Sequence, residues 1–182
     1  MLKTSEILDE KDKRLRLVSE EVTFPLAKED KDLINKMIKY LHDSQIEKLA
    51  KKYDLRPGMG MAAIQLGVAK RYLTIVHEVG EEEFDTYVIC NPKIISNSEE
   101  KIYVDMGEGC LSVNRDVEGI VPRCARVTVE GYDTEGNKIR IRAREELAIA
   151  FQHEIDHLNG ILFIDHIDKK NPYKDQDKYR AI

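Results

Sequence analysis

Gln152-His153-Glu154-Ile155-Asp156-His157 decides how this chain is read. It lies in segment 144–158, where apolar residues recur at helical intervals, so the six residues belong to a helix. Each helical residue turns about 100°, so His153 and His157 stand roughly 40° apart around the axis. Glu154 falls within the same arc of about 100°. One helix face therefore offers two imidazoles to a divalent cation and a carboxylate to the water beside it. A bound divalent metal lowers the pKa of water from 15.7 to about 7, which lets a carboxylate take its proton at neutral pH. His153 and His157 are read as metal ligands and Glu154 as the general base.

Catalytic sites of this kind have three protein ligands and one open position. Candidates for the third ligand are Asp165 and His166 downstream, and His77, Cys90, Glu108, Cys110 and Cys124 upstream. Cys110 has the most informative neighbours, Gly107-Glu-Gly-Cys-Leu-Ser112, because glycines permit close backbone approach to a site. Cys90 and Cys124 sit in alternating apolar segments and read as core residues. His166, nine residues beyond His157, is the chief competitor. Glu108 and Arg123 are candidates for an ion pair steadying the Cys110 loop. Two other functions compete at this stage. An endopeptidase would take a downstream ligand such as His166, and a non-catalytic metal or peptide holder would have no need of the base.

Residues 31–50 place Leu33, Ile34, Met37, Ile38, Leu41 and Leu49 on a helical period, which predicts an N-terminal amphipathic helix. Arg-Pro-Gly-Met-Gly at 56–60 cannot continue it. Strand-like runs follow at 71–77, 86–95, 101–106, 119–130 and 137–143, with Glu81–Glu83 as a solvated loop. Tyr132-Asp-Thr-Glu-Gly-Asn137 reads as a turn joining the last two runs into an antiparallel pair. The expected fold is α+β: antiparallel sheets of short strands packed around the C-terminal histidine helix, in one domain over 1–182.

The net charge of -5 and pI of about 5.6 give no support for a nucleic-acid binder, although a local basic patch would not show in the total. Residues 1–16 are densely charged and lack the apolar core of a signal peptide. No apolar stretch approaches the roughly 20 residues needed to span a bilayer. Three cysteines make an odd, sparse set, against a disulfide framework and in favour of a reducing, cytoplasmic setting.

Three segments carry a resemblance. Gly58-Met-Gly-Met-Ala-Ala-Ile-Gln-Leu-Gly67, Glu108-Gly-Cys-Leu-Ser112 and Gln152-His-Glu-Ile-Asp-His-Leu-Asn-Gly160 resemble, in order, the three signature motifs of the peptide deformylases. The residues around 80–85, the short tail and the NPKI and HIDK segments resemble the longer, Gram-positive-type subclass. The resemblance implies Cys110, His153 and His157 as ligands and Glu154 as general acid/base. It also implies the Gln65 side-chain amide and the Leu111 backbone N–H as donors to a developing oxyanion. The implied reaction is hydrolytic removal of the formyl group from the N-formylmethionine of new proteins, releasing formate. The implied metal is Fe2+, with Zn2+, Ni2+ or Co2+ as substitutes, and a thiolate in the set argues against magnesium or calcium. Met59, Gly60 and Ile149 are implied at the substrate, with the peptide pairing as an added strand near Met59–Gly60. The implied partners are formyl-methionyl nascent peptides and the ribosome exit region. A monomer is expected, with no membrane contact and no direct sequence-specific nucleic-acid binding. The chain departs from the family pattern at Met61, where Leu is usual, at Ile64, where Pro or Thr is common, and at Glu146, where a larger apolar or aromatic residue is frequent.

Overall fold

The computed structural model describes residues 1–182. Its first long element is helix α1 (Lys28–Gln45), which contains neither glycine nor proline and buries Ile34, Met37, Tyr40 and Leu41 along one stripe. The helix expected over 31–50 is in fact two. Ile46 is extended, and α2 (Glu47–Tyr53) carries Leu49 before Asp54 ends it in the left-handed region at φ 52°. Side chains at the end of α1 bond to backbone on either side of the break. Ser44 Oγ donates to the Leu41 carbonyl (2.9 Å), and Gln45 Nε2 donates to the carbonyl of Val76 (2.9 Å). The end of the helix is thereby tied to a strand.

Five strands form the main antiparallel sheet in the order β1-β2-β3-β6-β7. They are β1 (Gly60–Ala62), β2 (Tyr72–Gly80), β3 (Glu83–Asn97), β6 (Arg126–Tyr132) and β7 (Lys138–Arg144). A smaller sheet has the order β5-β4-β8, from β4 (Lys101–Tyr103), β5 (Arg123–Cys124) and β8 (Arg180–Ala181), with β8 parallel to β4. The strands β1 and β8 are too short to have shown in the pattern. Residues 119–122, expected to be strand, are loop. The turn after β6 is held by Asp133, whose carboxylate accepts from the backbone N–H groups of Glu135 and Asn137, while Gly136 takes φ 88°.

Helix α3 (Glu145–Leu158) follows β7 directly and carries the two histidines. It lies on one face of the sheet, where Phe151, Ile155 and Leu158 share a core with Leu73, Ile75, Ile89, Val127 and Val129. On the other face α1 covers the β1–β3 end, where Met37 and Leu41 meet Met61, Tyr72, Val76 and Cys90. Because β2 is covered on both sides, its residues Tyr72–Val76 form an unbroken buried run. Strand β7 is covered on one side only and alternates instead.

Candidate active site

Three donors converge where α3 meets the loop after β4. Cys110 Sγ and one nitrogen each of His153 and His157 all lie within 4.8 Å of one another, and all three side chains are buried. The Cys110 Sγ to His157 Nε2 distance is 3.3 Å. Zinc-type bond lengths of about 2.3 Å to sulfur and 2.0–2.1 Å to nitrogen in a tetrahedron would separate such atoms by about 3.5 Å, so the cluster has the right size for one cation. The second nitrogens support the same reading. His153 Nδ1 is engaged by Glu108 Oε2 at 2.8 Å, which leaves Nε2 for the cluster. Burial drives the His157 imidazole well below its ordinary range and keeps it neutral, as a ligand must be. For His153 burial acts the same way, but hydrogen bonds with Cys110 and Glu108 overcome it and raise the imidazole well above its ordinary range. The donor set therefore fits a divalent metal.

The other sequence candidates for the third position lie elsewhere. His166 is partly exposed, and its Nε2 pairs with Asp156 Oδ2 at 2.7 Å. Asp165 pairs with Arg16, and His77 stands 3.9 Å from Glu146. Cys90 is buried between α1 and the sheet, and Cys124 is in β5.

Glu154 shares the helix face but not the cluster. Its Oε2 is buried with no hydrogen-bond partner, and burial pushes the carboxyl up to about 7. Its Oε1 side packs against Gly60, where an added Cβ would stand 2.5 Å from Oε1. Gln65 is buried as well. Its Oε1 accepts from the Ala62 N–H (2.9 Å), which settles the orientation of the amide. Nε2 then donates to Ser112 Oγ (3.1 Å) and lies 3.8 Å from Cys110 Sγ. The Leu111 N–H has no partner within the protein. Ile64 is fully buried beneath the sheet core, so its departure from the family pattern leaves the Gln65 amide held by Ala62. Met61 is likewise fully buried, in the core under α1.

Around these groups lies a cavity of about 340 Å³. Met59, Gly60, Gln65, Cys110, Leu111, Ile149, His153 and Glu154 line it, with Arg56 and the exposed Glu146 contributing charge. Gly60 belongs to β1, an edge strand.

The Glu108–Arg123 pair considered from sequence is formed, at 2.7 and 3.0 Å, and is buried. Burial alone would raise the Glu108 carboxyl, but hydrogen bonds from His153 and Arg123 overcome it and hold it at about 2. Arg123 also reaches Asp156 at 2.6 Å, so a chain of polar contacts runs from His166 through Asp156, Arg123 and Glu108 to His153. Sequence reasoning missed Asp156, although its place inside the histidine motif was a signal. It also missed Arg56, whose guanidinium donates to the carbonyls of Cys110 (3.0 Å), Leu111 (3.3 Å) and Val113 (3.1 Å) and to Asn114 Oδ1. No local pattern marks a residue 54 positions away as the clamp of the cysteine loop.

Comparison with known proteins gives one answer. Residues 4–173 match the family model for polypeptide deformylase. Peptide deformylase 2 of Bacillus cereus is 44% identical over 182 residues, covering 100% of this chain and 99% of that protein. The peptide deformylase of Macrococcus caseolyticus is 48% identical over 184 residues and covers 100% of both. Among solved structures, peptide deformylase from Ehrlichia chaffeensis superposes with a TM-score of 0.73 at 36% identity, over 90% of this chain and 88% of that one. A Met-Ala-Ser-bound class I type b peptide deformylase from Acinetobacter baumannii gives 0.71 at 27% identity, over 88% of this chain and 96% of that one. The family match and the full-length relatives together place this chain in the polypeptide deformylase family.

Proposed function

We propose that the chain, as one domain over 1–182, is a metal-dependent hydrolase that removes the formyl group from the N-formylmethionine of newly made proteins and releases formate. The observation that carries the reading is the pair of oriented donors beside Cys110, the Gln65 amide and the unpaired Leu111 N–H, facing the same cavity as Glu154. Cys110, His153 and His157 would hold one divalent ion, Fe2+ in the cell, with Zn2+, Ni2+ or Co2+ able to replace it. When bound, such an ion supplies Lewis acidity and lowers the pKa of water toward neutrality.

The chain's own groups account for the rest. Gln65 Nε2 and the Leu111 N–H donate to the formyl oxygen as negative charge grows there, and one such donor is worth about 3 kcal/mol in other acyl-transfer enzymes. Glu154 accepts the proton of the attacking water and returns it to the leaving amine nitrogen, a double role that suits a carboxyl poised near neutral pH. Strand β1 offers its free edge to an extended peptide near Met59–Gly60, and Ile149 lines the methionine side chain. The Acinetobacter relative held Met-Ala-Ser, a peptide of the expected product class.

No helix is long and apolar enough to cross a membrane. We further propose a cytoplasmic monomer of the longer, Gram-positive-type subclass that meets its substrates near the ribosome exit. The decisive assay is formate release from formyl-Met-Ala-Ser by anaerobically prepared protein, with the acetyl peptide reacting far more slowly. Activity that survives Glu154→Ala, or its absence with Fe2+ present, would refute the assignment.

A further inference from the structure

Strand β7 carries four cations for which the active site has no use. It reads Lys138-Ile-Arg-Ile-Arg-Ala-Arg144, with no acidic residue. Its alternation sends Ile139, Ile141 and Ala143 toward α3 and leaves Lys138, Arg140, Arg142 and Arg144 exposed on the opposite face. That is the face α1 covers at the β1–β3 end only, so the β6–β7 end is open. The register adds a fifth cation, because Arg126 of β6 stands directly opposite Arg144.

Glu130 answers Lys138 and Arg140, and Glu100 answers Arg126, but Arg142 and Arg144 have no acidic partner. Arg126, Arg142 and Arg144, with Ser96, Ser98 and Thr128, line a depression of about 420 Å³. Protection of a sheet edge from unwanted pairing is one use of charge on such a strand. It does not call for two arginines directly opposite each other, an arrangement that destabilises the sheet. Alternate residues of a strand repeat every ~6.7 Å, so the four β7 cations span about 20 Å. A small anion meets one or two of them, and only a polymer of phosphates meets the row, for which arginine forks are well shaped. A lipid surface fits less well, since the outward residues of β6 and β7 include a single large apolar side chain, Tyr132.

We propose that this strip docks the phosphate backbone of RNA, without sequence preference, while the cavity on the α3 side stays open to peptide. The choice of RNA over other polyanions rests on the deformylase reading, because formylated chains emerge from ribosomes, whose surface is largely RNA. The test is fluorescence anisotropy with a labelled 20-nucleotide single-stranded RNA, at salt concentrations from about 50 to 200 mM. Two phosphates neutralised by the unanswered arginines give a slope of about −1.4 in log K against log salt, an approximately sevenfold loss of affinity across that range.

The double variant Arg142→Gln/Arg144→Gln should remove most of the slope and weaken binding at least fivefold at the lowest salt. The charge-matched Lys48→Gln/Lys52→Gln on α2 should leave both unchanged. Deformylation of free formyl-Met-Ala-Ser is measured on the same samples and should be unchanged in both variants, so a failed deformylase reading is told apart from a failed docking surface. No binding at 50 mM salt overturns the proposal, as does equal loss in the two double variants. Binding to phosphatidylglycerol vesicles that exceeds RNA binding and vanishes in Arg142→Gln/Arg144→Gln would assign the strip to membranes instead and overturn it too.

Discussion

Gly60→Ala tests whether Glu154 works from the position seen here. The new Cβ would stand 2.5 Å from Glu154 Oε1, 2.8 Å from Cγ and 2.9 Å from Cδ. Restoring an ordinary 3.4 Å contact from 2.5 Å requires the carboxylate to retreat by about 0.9 Å. The carboxylate is buried, and Cγ clashes as well as the tip, so rotation of the end group alone does not relieve it. Gly60 is not among the residues with positive φ, so alanine brings no backbone strain and the effect is one of displacement. A misplacement of about 1 Å in a reacting group costs roughly 100-fold in rate, or about 2.7 kcal/mol of barrier. The expected result is kcat for formyl-Met-Ala-Ser about 100-fold lower, with bound metal by elemental analysis unchanged, because no ligand is touched. Glu154→Asp withdraws the carboxylate from the same spot, so the two substitutions should be strongly non-additive in a double-mutant cycle. A kcat within threefold of wild type, or a change confined to KM, would refute the reasoning by making Gly60 only a peptide contact.

Three further outcomes follow from the same geometry. Arg56→Met should free the Cys110–Val113 carbonyls, lowering metal affinity about 10- to 100-fold and speeding amide exchange in that loop, with Arg56→Lys intermediate because an ammonium lacks the fork. Glu108→Gln keeps the volume but removes the carboxylate shared by His153 and Arg123; metal affinity should fall 10- to 100-fold, and protection from thermal unfolding by added metal should fall with it. Burial pushes the Cys90 thiol up to about 12, so at pH 8 only about one molecule in 10⁴ carries the thiolate. Peptide mapping after iodoacetamide treatment of the native protein should find Cys90 unmodified, and rapid labelling there would show that the core between α1 and the sheet opens.

The sequence exposed those features that repeat along a local period. The apolar stripes of α1 and α3, the alternation of β7 and the His153/Glu154/His157 arc all repeat at intervals that backbone geometry imposes. The break at Ile46 was not visible, because no glycine or proline marks it and the neighbouring Gln45 side chain bonds to Val76, 31 residues away. Cys110 was legible only through its glycines and the family motif, since a lone cysteine has no period. Arg56 and Arg123 were hidden for a related reason. Nothing in their neighbourhoods distinguishes a buried fork joined to distant partners from a charge in water.

The assignment of roles on α3 is likewise a matter of tertiary contacts rather than spacing. His-Glu-x-x-His places two imidazoles and a carboxylate on one arc in a protease and a deformylase alike. Here the nitrogen His153 does not need for the cluster is held by Glu108, while the neighbouring Glu154 keeps a buried oxygen with no partner. Constraint on one residue suits a ligand, and freedom on the next suits a group that must gain and lose a proton. The same network disposes of the protease alternative. That reading takes a downstream ligand such as His166, but Arg16 engages Asp165, Asp156 engages His166, Arg123 engages Asp156, and the contacts lead back through Glu108 to His153. The residue that would have made a peptidase site instead helps brace the histidine beside Cys110.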